Sequence, residues 1–291
     1  MFAALGSSHA CALEGGVSPY PAGAVGTNIA EMPPIPGLFA LEQLSYSYSN
    51  GLYGNDGEKL PFRFHSSAFS ATTRLLASYP FTLLGAHLYS QLVLPVVSLH
   101  TNVAGQRGTQ DGLSNVTLSP VIASWSLARN LTFTSGFDIA FETGSYSPSK
   151  PSVAVGYTSL QPVVSLRYNA PNGIDLGVAN RVMFNRENGE TGYRSGTAYV
   201  GEFEAGWNIG KWKLGVVGAY LNQFTDDRNN GALVAGNRAK TLGIGPSIVY
   251  DGGKFNINLN YQQGIYAANT SKSNAVWLNV AIPLWAKPPG P

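Results

Sequence analysis

Charge is scarce in this sequence of 291 residues. Asp, Glu, Lys and Arg make up 12% of it, against roughly 25% in an ordinary soluble domain. The balance is nearly even, at a net charge of +2, which gives nucleic acid or another polyanion no field to bind to. Long apolar runs are missing too: no stretch of about 18 apolar residues occurs, so no transmembrane helix is expected. Cysteine is reduced to Cys11, and a single thiol cannot staple a fold. The histidines, His9, His65, His87 and His100, show no metal-ligand spacing. No G-x-S-x-G, Walker or dinucleotide-binding pattern is present. These gaps argue against a nucleic-acid-binding protein, a helical membrane protein, a disulfide scaffold and an enzyme, and they imply neither metal nor cofactor.

What fills the space is Gly (34 residues), Tyr (15) and many Asn, Ser and Thr, with hydrophobic residues held to 44%. That composition fits an all-β chain, either secreted or spanning a membrane as a barrel. The stretch KFNINLNYQQ (254–263) separates the two. Phe255, Ile257, Leu259 and Tyr261 alternate with Asn256, Asn258, Asn260 and Gln262, and a strand turns successive side chains to opposite faces. In a soluble sandwich the wet face usually carries charge. Here it carries amides, as expected where one face meets lipid and the other a confined polar lumen.

Other stretches repeat the alternation. Leu131, Phe133, Phe137, Ile139 and Phe141 oppose Thr132, Thr134, Asp138 and Glu142. Leu160, Val164, Leu166 and Tyr168 oppose Gln161, Ser165 and Arg167, and Ile174, Leu176, Val178, Val182 and Phe184 oppose Asp175 and Arg181. Tyr199, Phe203, Ala205, Trp207 and Ile209 oppose Glu202, Glu204 and Asn208. The candidate lumen-lining residues are therefore Asp138, Glu142, Arg167, Arg181, Glu202, Glu204, Asn256, Asn258 and Asn260. They either select solutes or pair with one another to brace a narrow barrel.

The breaks between these segments alternate in length. Long ones fall at 50–59, 103–112, 144–156, 187–196, 226–239 and 267–273, and short ones at 78–85, 127–130, 170–173, 210–211 and 251–253. Long outer loops and short periplasmic turns give a barrel this rhythm. The expected fold is an antiparallel transmembrane β-barrel of about 12 strands in the outer membrane of a Gram-negative bacterium, with outer-membrane lipid and the barrel-assembly machinery as partners. The final NAVWLNVAIPLW (274–285) alternates as a terminal barrel strand does, ahead of a Pro-rich periplasmic tail at 286–291. Pro95, Pro120, Pro162 and Pro246 lie inside strand-like segments, and bulges are their expected context. Ahead of the barrel at 38–285, residues 1–12 read as the remnant of a signal peptide, with Ala10 and Ala12 at −3 and −1 of the cleavage site. Residues 13–37 hold too much Pro and Gly for a helix or a central strand. They are expected to enter the lumen as a plug or to lie along the barrel mouth, a loose periplasmic lead-in being the alternative.

Four stretches carry a family resemblance: TDDRNNGALVAGNRAKTLGIGP (225–246), YPAGAVGTN with PPIPG (20–37), TGSY (143–146) and YRSG (193–196). Taken in order along the chain, they resemble the outer-membrane family associated with meta-pathway phenol degradation, the SphA-like "transporters". The resemblance implies a barrel passing hydrophobic or aromatic compounds, and a small hydrophobic solute as its partner. Relatives of that family export functional-amyloid subunits, so it leaves open an export barrel for a polypeptide. A structural or adhesive barrel acting through its loops is the third possibility. The family brings no catalytic residues. In the stretch that resembles its fifth outer loop, Asp226, Asp227, Arg228, Asn237 and Arg238 form either a gate or cation site, or a cluster that folds its own loop.

Overall fold

The computed structural model describes residues 11–253 and 255–286. The signal-peptide reading falls largely, and the tail reading almost entirely, outside these residues. Strand β1 (Gly37–Tyr53) pairs on one side with β2 (Phe64–Leu83) and on the other with the last strand, β12 (Thr270–Ala286). Between them run β3 (Ala86–Val103), β4 (Thr117–Ala128), β5 (Leu131–Ala140), β6 (Ser159–Asn169) and β7 (Ile174–Asn185). The circuit continues through β8 (Ala198–Ile209), β9 (Trp212–Gln223), β10 (Lys240–Asp251) and β11 (Asn256–Ala268). Each strand pairs antiparallel with its neighbours, and the β1–β12 ladder closes the sheet into a barrel without edges.

The alternation seen in the sequence is the alternation of the wall. Leu259 is 45% exposed on the outside, while Asn258 and Asn260 beside it are buried within. Leu160, Leu166, Leu176, Val178 and Trp207 are likewise exposed on the exterior, and Gln161, Arg167, Asp175 and Glu202 buried inside. An outer surface this apolar has no place in water, but it matches a hydrocarbon surround.

The connections depart from the expected rhythm in two places. Residues 103–112, expected as a loop, are mostly a hairpin arm: the chain turns at Ala104 and Gly105 (φ 52° and 91°) and Gln106–Leu113 pairs back along β3. The ladder of β3 simply continues beyond the barrel wall, which no alternation in QRGTQDGL signals. Residues 267–273 are not a long break, since β11 and β12 meet at Asn269 alone (φ 51°). Of the prolines, Pro120 lies in a register shift between Leu118 and Val121, and Pro95 faces the interruption between Leu113 and Thr117. The bulge expectation fails at Pro162 and Pro246. The registers there are continuous on both flanks, because losing one donor from a long ladder does not require an inserted residue.

Candidate functional site

The segment that precedes β1 runs through the lumen. At the loop-bearing end, the Glu14 carboxylate accepts from Tyr146 Oη (2.9 Å), Asn188 Nδ2 (2.8 Å) and Thr191 Oγ1 (2.6 Å), and the Glu14 amide donates to Ser195 Oγ. Deeper, Tyr20 Oη donates to Glu202 Oε2 at 2.7 Å, and the Gly23 and Val25 amides donate to Glu202 Oε1 at 2.8 and 3.2 Å. Gly23 holds φ 100°, a backbone state open to glycine. The carbonyls of Gly23 and Ala24 accept from Gln262 on β11 and Gln43 on β1. Thr27 meets Asn258 on β11 through its hydroxyl and Lys213 on β9 through its carbonyl. Ile29 O and Glu31 accept from Arg167 on β6, and Pro33 O accepts from Tyr89 on β3. These partners lie on several sides of the barrel, so the segment crosses the lumen instead of hugging one wall. Its approach to β7 is close: a Cβ on Gly177 would lie 3.0 Å from Ile29 Cβ and 2.8 Å from Glu204 Oε1.

The wall charges opposite the segment are paired. Arg167 grips Asp175 through two bonds of 2.8 and 2.6 Å and reaches Glu31 at 3.1 Å. Lys213 Nζ bridges Asp175 and Glu204, each at 2.7 Å. Nearer the loops, Arg181 contacts Asp138 at 2.6 Å and Gln161 at 2.7 Å, and its guanidinium stacks 4.0 Å above the Tyr20 ring. Charges this deep hold only when paired and hydrogen-bonded. Of the candidates from the sequence, Asp138 and Arg181 thus form one cluster and Arg167 and Glu204 another. Glu202 binds the segment, and Asn258 and Asn260 form a short ladder with Gln262. Asn256 lies at the turn end of the lumen. Glu142 is misplaced in the lumen set: β5 stops at Ala140 and Glu142 is exposed in the following loop, because the chain leaves the wall before a further alternation is completed.

The outer-loop residues also separate. Asp226 and Arg238 pair at 2.7 Å on the surface, and the hydrogen bond and charge of the guanidinium hold the Asp226 carboxyl below the usual carboxylate range. Asp227 and Asn237 are buried and bonded at 2.9 Å, burial pushing the Asp227 carboxyl up. Arg228 joins neither pair and donates to the Gly231 carbonyl. Sequence reasoning missed Arg74, Asp175, Lys213, Tyr20 and Glu31 as site residues. The first three were open to discovery, since each falls on the inward parity of its strand; Tyr20 and Glu31 precede the first strand and have no parity to read.

The segment leaves part of the lumen empty. A cavity of about 430 Å³ runs along the wall of β12, β1, β2 and β3, lined by Ser45, Ser47, Ser70, Thr72 and Gln91 among others. Arg74 stands beside it and, among the described residues, donates to the amide oxygens of Gln91 and Gln43 alone. A second cavity of about 360 Å³ lies at the turn end beside Glu31, Arg167 and Lys213. Among the described residues no cluster of His, Cys, Asp or Glu forms a metal site.

A model of the family described as "Putative MetA-pathway of phenol degradation" matches residues 49–280. Among solved structures, the chain is similar to the COG4313 outer membrane channel from Pseudomonas putida F1, with a TM-score of 0.78 at 15% identity, covering 87% of this chain and 97% of that one. It is also similar to the translocator domain of the autotransporter NalP from Neisseria meningitidis (TM-score 0.51, 12% identity, 89% and 92% covered). The β domain of the Bordetella autotransporter BrkA is comparable (TM-score 0.50, 14% identity, 86% and 100% covered). At these identities the likeness is one of fold. No curated protein matches the sequence.

Proposed function

The chain belongs to the MetA-pathway phenol-degradation family and is a barrel of the Gram-negative outer membrane, and from that premise we propose that it is a channel for passive uptake of small hydrophobic or aromatic compounds. The observation that carries the reading is the division of the lumen. One part is filled by residues 13–36 clamped to paired charges, while another is a cavity of about 430 Å³ whose wall on β1 and β2 carries small uncharged side chains (Ser45, Ser47, Ser70 and Thr72), with Arg74, Asp138 and Arg181 also at its lining. A cavity of that size admits a one-ring compound with room to move, and hydroxyl and methyl surfaces hold such a solute weakly enough to release it. Export of a polypeptide is the less favoured reading, since residues 13–33 already occupy the lumen and are bonded to its wall along their length. The family, the fold and this cavity support transport.

The test is entry of radiolabelled phenol at micromolar concentration into porin-deficient Gram-negative cells expressing the chain. Expression should raise the initial rate above that of cells carrying the empty vector. An unchanged rate, with folded barrel present in the outer membrane, would remove the reading.

A further inference from the structure

Asp227 is fully buried where two outer loops meet the start of the lumen segment. Its oxygens accept five hydrogen bonds: Tyr193 Oη at 2.5 Å, the Gly196 amide and Gln223 Nε2 at 2.7 Å, Asn237 Nδ2 at 2.9 Å and the Leu13 backbone nitrogen at 3.1 Å. None of these donors is charged in the uncut chain. Of the cations in the same loops, Arg238 pairs with Asp226, Arg228 donates to the Gly231 carbonyl, Arg194 donates to the Asn185 carbonyl, and Arg186 is exposed to solvent. Among the described residues Asp227 has no counter-ion, and a buried carboxylate in that state is costly, yet one of the five donors can become a cation. Leu13 directly follows Ala10-Cys11-Ala12, whose small residues stand at −3 and −1 of a leader-cleavage site. Leu13 is also held at φ 63°, where a bulky side chain collides with the carbonyl of the residue before it.

We propose that the leader is removed between Ala12 and Leu13 and that the α-ammonium so created is the counter-ion of Asp227. A leader peptidase adds water across the bond: its oxygen goes to the Ala12 carbonyl carbon and its two protons end on the Leu13 nitrogen. The products are the carboxylate of the released leader and an ammonium on the barrel. The cut also removes the carbonyl that makes φ 63° unfavourable. Ala12 and Leu13 are both buried in the folded barrel, so cleavage precedes folding, which is the order that export imposes. The ion pair then fastens the start of the lumen segment to the loops at 186–197 and 224–239. The adjacent Glu14 carboxylate is occupied by Tyr146, Asn188 and Thr191 and leaves the ammonium to Asp227. The inference holds whatever solute the barrel passes.

The test starts from the full chain exported in a Gram-negative host and extracted folded from its outer membrane. Intact mass should correspond to a chain beginning at Leu13; a mass beginning at any other residue, Cys11 included, overturns the proposal. The folded barrel is then treated at pH 7 with an amine-acylating reagent and its N-terminal peptide followed by mass spectrometry. The wild-type α-amine should react at least about tenfold more slowly folded than heat-unfolded, and in folded Asp227→Asn it should approach the unfolded rate. If heat-modifiable gel mobility shows that Asp227→Asn does not fold, insertion of one Ser between Ala12 and Leu13 replaces it, displacing the amine from an intact Asp227. Equal rates in folded and unfolded wild type overturn the proposal. So does undiminished protection in the folded variant.

Discussion

Neighbouring residues on one strand of this barrel live in different solvents, and the step from Phe69 to Ser70 shows what that means for a charge. Phe69 is 47% exposed on the exterior of β2 and pairs with Tyr46, about midway along β1. Ser70 lines the open cavity. Arginine at a mid-bilayer, lipid-facing site costs roughly 2–4 kcal/mol, whereas a hydrated lumen solvates it. Phe69→Arg should therefore depress the yield of heat-modifiable, folded barrel, and Ser70→Arg should leave it near wild type; equal losses would show that the inside and outside of β2 have been confused. The same comparison at 258 and 259 would not be clean. Asn258 is buried against Thr27, so an arginine there competes with the lumen segment as well as changing solvent. Glu202 allows a different test at this scale. It alone receives Tyr20, Gly23 and Val25, so Glu202→Gln should loosen the segment and raise the open-channel noise of single-channel recordings without changing folded yield. A quiet, unaltered trace would mean that the other contacts suffice.

At the scale of elements, the segment at 13–36 and the barrel wall are separable in the way their contacts are built. None of the twelve strands lies within the segment, so its deletion should leave a folded barrel whose conductance rises by a factor of about two or more, as the filled part of the lumen opens. A folded deletion with wild-type conductance would mean that the segment does not obstruct the path. The wall itself is braced by the cluster of Arg167, Asp175, Lys213 and Glu204. Removing one member of such a buried set leaves a partner uncompensated, at about 3–5 kcal/mol. Arg167→Met should accordingly lower the temperature at which the barrel loses its folded gel mobility, and no change would mean that water has already dissolved the cluster. These elements also mark what the sequence could reveal. Strands such as β11 were legible because lipid and lumen impose a period of two, and the inward parity of Arg167, Arg181, Glu202 and Glu204 follows from that alone. The pairing of Arg167 with Asp175, and of Glu202 with Tyr20, was not, because their separations of 8 and 182 residues carry no local signature. The arm at Gln106–Leu113 was hidden for the opposite reason: it pairs with β3 beyond the wall, where no lipid demands alternation.

For the whole molecule, the claim is that a closed, apolar-coated barrel carries solute through the part of its lumen that the N-terminal segment leaves free. The open part is walled on β1 and β2 by Ser45, Ser47, Ser70 and Thr72, with Asp138 and Arg181 at its edge, while the paired Arg167, Asp175, Lys213 and Glu204 lie against the part that the segment fills. Single-channel conductance of the purified barrel in planar bilayers tests this most directly, comparing wild type with Ser70→Trp/Thr72→Trp and with Phe69→Trp as an exterior control. The account predicts a discrete conductance for wild type and Phe69→Trp and its near loss when two indoles fill the cavity. A folded wild-type barrel that does not conduct, or a double-tryptophan variant that conducts undiminished, would contradict it.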